Sequence, residues 1–76
     1  MSTHELNARG LLCPMPVIRT QDRVAELLPG DELTVFATDP GAIHDVSAWC
    51  RINGHELLEA GEKDGEVVIR LRVGGG

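Results

Sequence analysis

The sequence predicts an α/β fold of the two-layer α+β kind: a four-stranded mixed sheet with two helices packed on one face, in the order βαβαββ. Three observations lead there. Two stretches, one opening at Pro14 and one at Pro40, carry apolar residues at helical spacing. Near the C-terminus Val67, Ile69, Leu71 and Val73 alternate with Val68, Arg70 and Arg72, the pattern of a strand with one buried face. The whole chain is 76 residues, enough for one domain with one modest core, so the helical stripes and the sheet face must cover each other.

Each element follows from local chemistry. Residues 5–8 form a short first strand. The loop Arg9-Gly10-Leu11-Leu12 leads into Cys13-Pro14-Met15-Pro16. Proline suits the first helical position, where its missing N–H has no partner to lose, so Pro14 starts the first helix and Cys13 is its N-cap. Val17, Val24 and Leu28, with Ile18 and Ala25, are the expected inner stripe; Arg19, Thr20, Asp22, Arg23 and Glu26 are expected to face water. Pro29-Gly30 stops this helix. Residues 33–37, Leu-Thr-Val-Phe-Ala, read as the second strand. Asp39 caps a second helix with Pro40 at its first position. Its inner face is Ala42, Val46, Trp49, Cys50 and Asn53 with Ile43 beside it, and Asn53-Gly54 ends it. A third strand covers 55–61, Lys63-Asp64-Gly65 makes a hairpin turn, and the alternating strand closes the sheet. One domain therefore spans 1–76, with Gly74-Gly75-Gly76 as a flexible tail.

Charge and composition exclude several function classes. The net charge of −5 is uneven: residues 1–30 are neutral, residues 31–66 set nine acidic groups against Arg51 and Lys63, and Arg70 and Arg72 follow. An acidic chain with one Trp and one Phe lacks both the cationic patch and the stacking platform of a nucleic-acid binder. No apolar run suggests a signal peptide or a membrane span, so the expected setting is a reducing cytoplasm. Cys13 and Cys50 stand 37 residues apart, without the spacing of a metal finger or a CxxC pair.

Cys13 is the candidate working atom. It follows a glycine-containing loop, which leaves it accessible, and it precedes a helix whose first turn carries partial positive charge. Such a position lowers a thiol pKa. Pro14 and Pro16 remove two N–H donors and leave Met15 as the main free one, so the expected lowering is about one unit. The prolines contribute fixed geometry instead. A nucleophilic thiol without a neighbouring base or second thiol suits receipt and delivery of a sulfur atom as a persulfide better than hydrolysis or dithiol exchange. The competing structural reading is a buried, inert cysteine.

The segment from Arg9 to Pro16 resembles the CPxP signature of the TusA/SirA-like sulfur-carrier family. Pro29-Gly30-Asp31, Thr38-Asp39-Pro40, Trp49 and Gly54-His55 extend the similarity from about residue 5 to residue 73. The resemblance implies a βαβαββ two-layer sandwich. It also implies a persulfide carried transiently on Cys13, with Pro14, Met15 and Pro16 as structural support and no cofactor. The implied partners are a cysteine desulfurase or rhodanese-type donor and a downstream acceptor protein. The pathways served by the family are tRNA thiolation, molybdenum cofactor assembly and sulfur oxidation. Such a protein relays sulfur in the manner of a sulfurtransferase without turning over a small substrate. Where many members have an acidic residue, in a D-x-R-G-L pattern, this chain has Asn7.

Other residues have plainer readings. Cys50 belongs to the core, with a resolving or second sulfur-binding role as the alternative. His4, His44 and His55 do not have the spacing of a metal site. Arg9 either favours the Cys13 anion or lies in water. The acidic stretch from Asp31 to Glu66 is a solvated surface that can guide basic partners. Two other functions compete with the relay: an adaptor or regulatory module whose thiol is incidental, and a C-terminal thiocarboxylate carrier suggested by the glycine tail.

Overall fold

The computed structural model describes residues 2–74. Its elements are β1 (Thr3–Ala8), α1 (Met15–Val24), β2 (Glu32–Ala37), α2 (Ala42–Ile52), β3 (Glu56–Lys63) and β4 (Glu66–Arg72). The sheet order is β1-β2-β4-β3, with β1 parallel to β2 and the other two pairs antiparallel. The predicted mixed sheet and element order are those observed.

The core follows from strand alternation. Leu33, Val35 and Ala37 on β2 lie opposite Leu71, Ile69 and Val67 on β4, and all six are inaccessible to solvent. Ala42, Val46 and Cys50 on α2, Val24 on α1, and Ala8 and Val73 complete this layer. The opposite parity places Glu32, Thr34, Phe36, Val68, Arg70 and Arg72 on the helix-free face. There Arg70 bridges Glu32 and Glu59, and Arg72 bridges Glu32 and Glu56. These exposed pairs set cross-strand register more than they add stability.

The first helix departs from expectation in three ways. It begins at Met15, with Pro14 at the N-cap and Cys13 one residue further out. Its buried stripe is Pro16, Thr20 and Val24; Val17 is half-buried, and Ile18 and Ala25, expected inside, are exposed. Thr20, expected in water, can be buried because its hydroxyl donates to the Pro16 carbonyl at 2.7 Å. After Val24 the chain tightens: Glu26 and Leu27 N–H groups bond three residues back, to Arg23 and Val24. That turn brings Leu27 against the core and leaves Leu28, expected inside, 70% exposed.

The second helix keeps its expected inner face, except that Asn53 is exposed and acts at the helix end. Its side chain and backbone N–H both donate to the Trp49 carbonyl. Gly54 follows at φ 76°, a left-handed conformation that glycine adopts at low cost, and the His55 N–H closes onto the Cys50 carbonyl. β1 and β3 are each longer than expected; β3 also carries a register shift between Leu57 and Glu59, which leaves Leu58 as an extra residue. Asp64 and Gly65, both at positive φ, form the expected hairpin turn. Gly74 is docked rather than free, its N–H donating to His55 Nδ1 at 2.9 Å. Gly75 and Gly76 lie outside the described residues.

Candidate functional site

Ala8 pairs with Ala37 at the end of two parallel strands. The chain leaves both strands at the same end of the sheet, so α1 and α2 both begin there. Cys13 lies between these two beginnings.

The loop after β1 is tied to the loop after β2. Gly10, at φ 80°, donates its N–H to Thr38 Oγ1 at 2.9 Å. The Cys13 N–H donates to Asp39 Oδ2 at 2.7 Å, while Asp39 Oδ1 accepts from the Gly41 N–H at 3.0 Å. The second helix begins later than expected, at Ala42 with Gly41 as its N-cap, so Asp39 and Pro40 lie in the turn before it. Asp39 holds that turn through Gly41 and also grips the cysteine backbone. The Cys13–Pro14 peptide is cis. Pro16 is buried in α1, and the Met15 N–H donates to the Leu12 carbonyl at 2.8 Å.

The Cys13 side chain is exposed, and its thiol donates to Asp45 Oδ2 at 2.9 Å. Asp45 belongs to the first turn of α2. The acceptor bond to Asp45, partial desolvation, and the negative charges of Asp45 and Asp39 push the Cys13 pKa above its ordinary value. The expected lowering is therefore overturned. Two physical reasons account for it. The Met15 N–H is already used by Leu12, and two carboxylates occupy the space where the helix start was to favour an anion. Asp45, 32 residues from Cys13, carries no signal in the sequence that would link it to the thiol.

Arg9 supplies no opposing charge. Its guanidinium makes two hydrogen bonds to Glu66, at 3.0 and 3.1 Å, a third to Asn7 Oδ1 at 3.2 Å, and lies 4.6 Å from the Phe36 ring centroid. Phe36 is on the helix-free face, so Arg9 is directed away from the sulfur. Asn7 also accepts from the Arg9 N–H, which gives this residue a loop-shaping role that needs no charge.

Exposed apolar side chains flank Cys13 in the chain. Leu12 is 74% exposed and Ile18 42%, with Met15 also exposed. Cys50, by contrast, is inaccessible, and burial pushes its thiol up to about 11. The histidines are dispersed: His4 lies by Asp31, and His55 stacks on Trp49 at 4.8 Å. No described helix is long and apolar enough to cross a membrane.

The molecule is thus a two-layer α+β domain presenting one exposed thiol where two helices begin together. Residues 4–73 match the family described as sulfurtransferase TusA, and the chain belongs to that family. The sulfur carrier protein TusA of Pseudomonas aeruginosa is 42% identical over 67 residues, which cover 88% of this chain and 85% of that one. A Neisseria meningitidis protein named as a candidate sulfur carrier is 48% identical over 65 residues, covering 86% and 88%. The SirA-like protein of Desulfitobacterium hafniense superposes with a TM-score of 0.82 at 29% identity, covering 93% of this chain and 97% of that chain.

Proposed function

We propose that the protein is a sulfur carrier that takes a sulfane sulfur onto Cys13 from a cysteine desulfurase or rhodanese-type donor and passes it to an acceptor protein in the cytoplasm. The observation that carries this reading is an exposed Cys13 thiol with the other cysteine sealed in the core. A second accessible thiol would resolve a persulfide into a disulfide; its confinement favours carriage. The relatives named as sulfur carriers support the same reading.

The transfer balances without an external oxidant. Cys13 releases its proton to solvent or to a base of the donor. Its thiolate then attacks the outer sulfur of the donor's persulfide, and a new S–S bond forms on Sγ as the donor's S–S bond breaks. The electron pair leaves with the donor's cysteine, which takes up a proton. Delivery to the acceptor repeats the same exchange. Pro14, Met15 and Pro16 fix the backbone behind the sulfur, and the exposed Leu12, Met15 and Ile18 offer an apolar surface for the docking protein.

Incubation with a persulfide donor, followed by intact mass, tests the proposal. The expected result is a gain of one sulfur atom that Cys13→Ser abolishes and Cys50→Ser retains. Absence of the adduct from the unaltered protein favours an adaptor role. An adduct that moves to the C-terminus, or that is lost when Gly75 and Gly76 are deleted, favours a thiocarboxylate carrier.

A further inference from the structure

We propose that Asp45 is a positioning residue that holds the unloaded Cys13 sulfur as an oriented, neutral thiol and so suppresses its reaction with electrophiles other than the sulfur donor. The inference deepens the proposed relay and rests on it for its purpose, but its test requires no sulfur donor.

Three observations carry it. The Cys13 thiol donates to Asp45 Oδ2 at 2.9 Å, a bond that exists only while the sulfur keeps its proton. The Cys13 backbone is independently fixed by Asp39 at 2.7 Å, so the sulfur is held toward the first turn of α2 rather than swinging freely in solvent. No lysine, arginine or histidine lies within ion-pair distance of Asp39 or Asp45 among the described residues, in contrast to Glu32, Glu56 and Glu66.

The charged surroundings of the thiol are consistent from every side. Asp39 and Asp45 are the charges that bear on it, from the loop before α2 and from α2 itself. The neighbouring His44 is exposed on α2. On the β1–α1 loop Arg9 is bound to Glu66 of β4, on the helix-free face. On α1, Arg19, Asp22, Arg23 and Glu26 line a cleft with Leu6 along β1, an edge strand. Deprotonation therefore puts a third negative charge beside two carboxylates with no local cation to offset it.

Loading changes this relation. A sulfane sulfur on Cys13 moves the titrating atom about 2.05 Å beyond Sγ, one S–S bond further from the atom Asp45 grips. The Sγ–H that donates to Asp45 in the empty carrier is absent once Sγ bears the second sulfur.

The test is the rate of iodoacetamide alkylation at Cys13 against pH, read by intact mass and peptide mapping, for the unaltered protein, Asp45→Asn and Asp45→Glu. The asparagine variant loses the acceptor charge and gains a donor amide, so its rate midpoint moves to lower pH. Because an easier-ionised thiolate is also a weaker nucleophile, the rate below both midpoints rises about three- to fourfold for each unit moved, and the high-pH plateau falls about threefold. Asp45→Glu restores the profile toward that of the unaltered protein. A midpoint unchanged in Asp45→Asn overturns the proposal, as does a rate that rises equally at every pH, which reports loosening alone. If Asp45→Asn does not fold, the unaltered protein decides: a midpoint above the ordinary thiol value of about 8.5 supports the proposal and one at or below it overturns it. Sulfur uptake is measured separately, so its failure leaves this result standing.

Discussion

At the scale of single residues, the structure uses small groups where larger ones do not fit. Gly74 is the sharpest instance. A Cβ built there runs into the carbonyl oxygen and carbon of Gly54, with the His55 nitrogen 3.4 Å away, and all of these are backbone atoms held by the end of α2. Gly74→Ala must displace that turn or lose the hydrogen bond to His55. The expected cost is about 1–3 kcal/mol, the range for forced overpacking, read as a lower urea midpoint with unchanged slope. Unchanged stability shows that the last turn rearranges freely. The C-terminal glycines looked like a frayed end in the sequence because nothing local distinguishes Gly74 from its neighbours. Its partner lies 19 residues earlier. Cys13 was legible for the opposite reason: the loop glycine and the prolines that expose it are its immediate neighbours. The state of its thiol was not, since Asp39 and Asp45 are 26 and 32 residues distant.

At the scale of elements, the ends of α1 and β1 are bolted by one carboxylate. Asp31 Oδ1 accepts the Ser2 N–H at 3.0 Å and Oδ2 accepts the Leu28 N–H at 3.2 Å. His4 Nε2 stands 3.4 Å from the same oxygen. The backbone of Asp31 also bonds Leu28 and Val73, which joins the end of the sheet to the turn after α1. The Ser2 and Leu28 amides hold the Asp31 carboxyl below its usual range. Its folded pKa lies below its unfolded one, so its stabilisation is complete above about pH 4 and is lost as pH falls through the folded value. Urea midpoints measured from about pH 5 downward are therefore expected to fall in the unaltered protein and to fall less in Asp31→Asn. Glu66, held low by Arg9, keeps part of the slope in that variant. Equal slopes in the two proteins mean that Asp31 is not the bolt. The same region shows where periodicity misled. The stripe through Val24 and Leu28 assumes an unbroken α-helix, whereas the tightened turn advances the chain and substitutes Leu27. The second helix stayed close to its predicted face because no such turn interrupts Ala42, Val46 and Cys50.

At the scale of the whole molecule, the site and the core depend on one topological fact: two parallel strands end side by side, and each hands the chain to a helix. Their adjacency brings residues from both loops against Cys13, while the helix-facing residues of β2, Leu33, Val35 and Ala37, build the core with β4. Because this small core holds no aromatic side chain among its fully buried residues, each large aliphatic member is a sizeable share of the stability. Ile69 sits at the centre of β4, opposite Val35 and adjacent to Ala60 of β3, with no accessible surface. Ile69→Ala removes its branch and leaves a cavity beneath the helices, at an expected cost of about 2–5 kcal/mol against a typical total of about 5–15. The urea midpoint therefore drops substantially at 25 °C. The alkylation midpoint of Cys13 in the remaining folded protein is expected to stay in place, since Asp45 holds the sulfur from the first turn of α2 and Asp39 holds the Cys13 backbone N–H from the loop before it, not from β4. A loss below 1 kcal/mol shows that the layer closes around the gap. A shifted alkylation midpoint shows that the sheet centre, through α2, sets the geometry of the thiol as well.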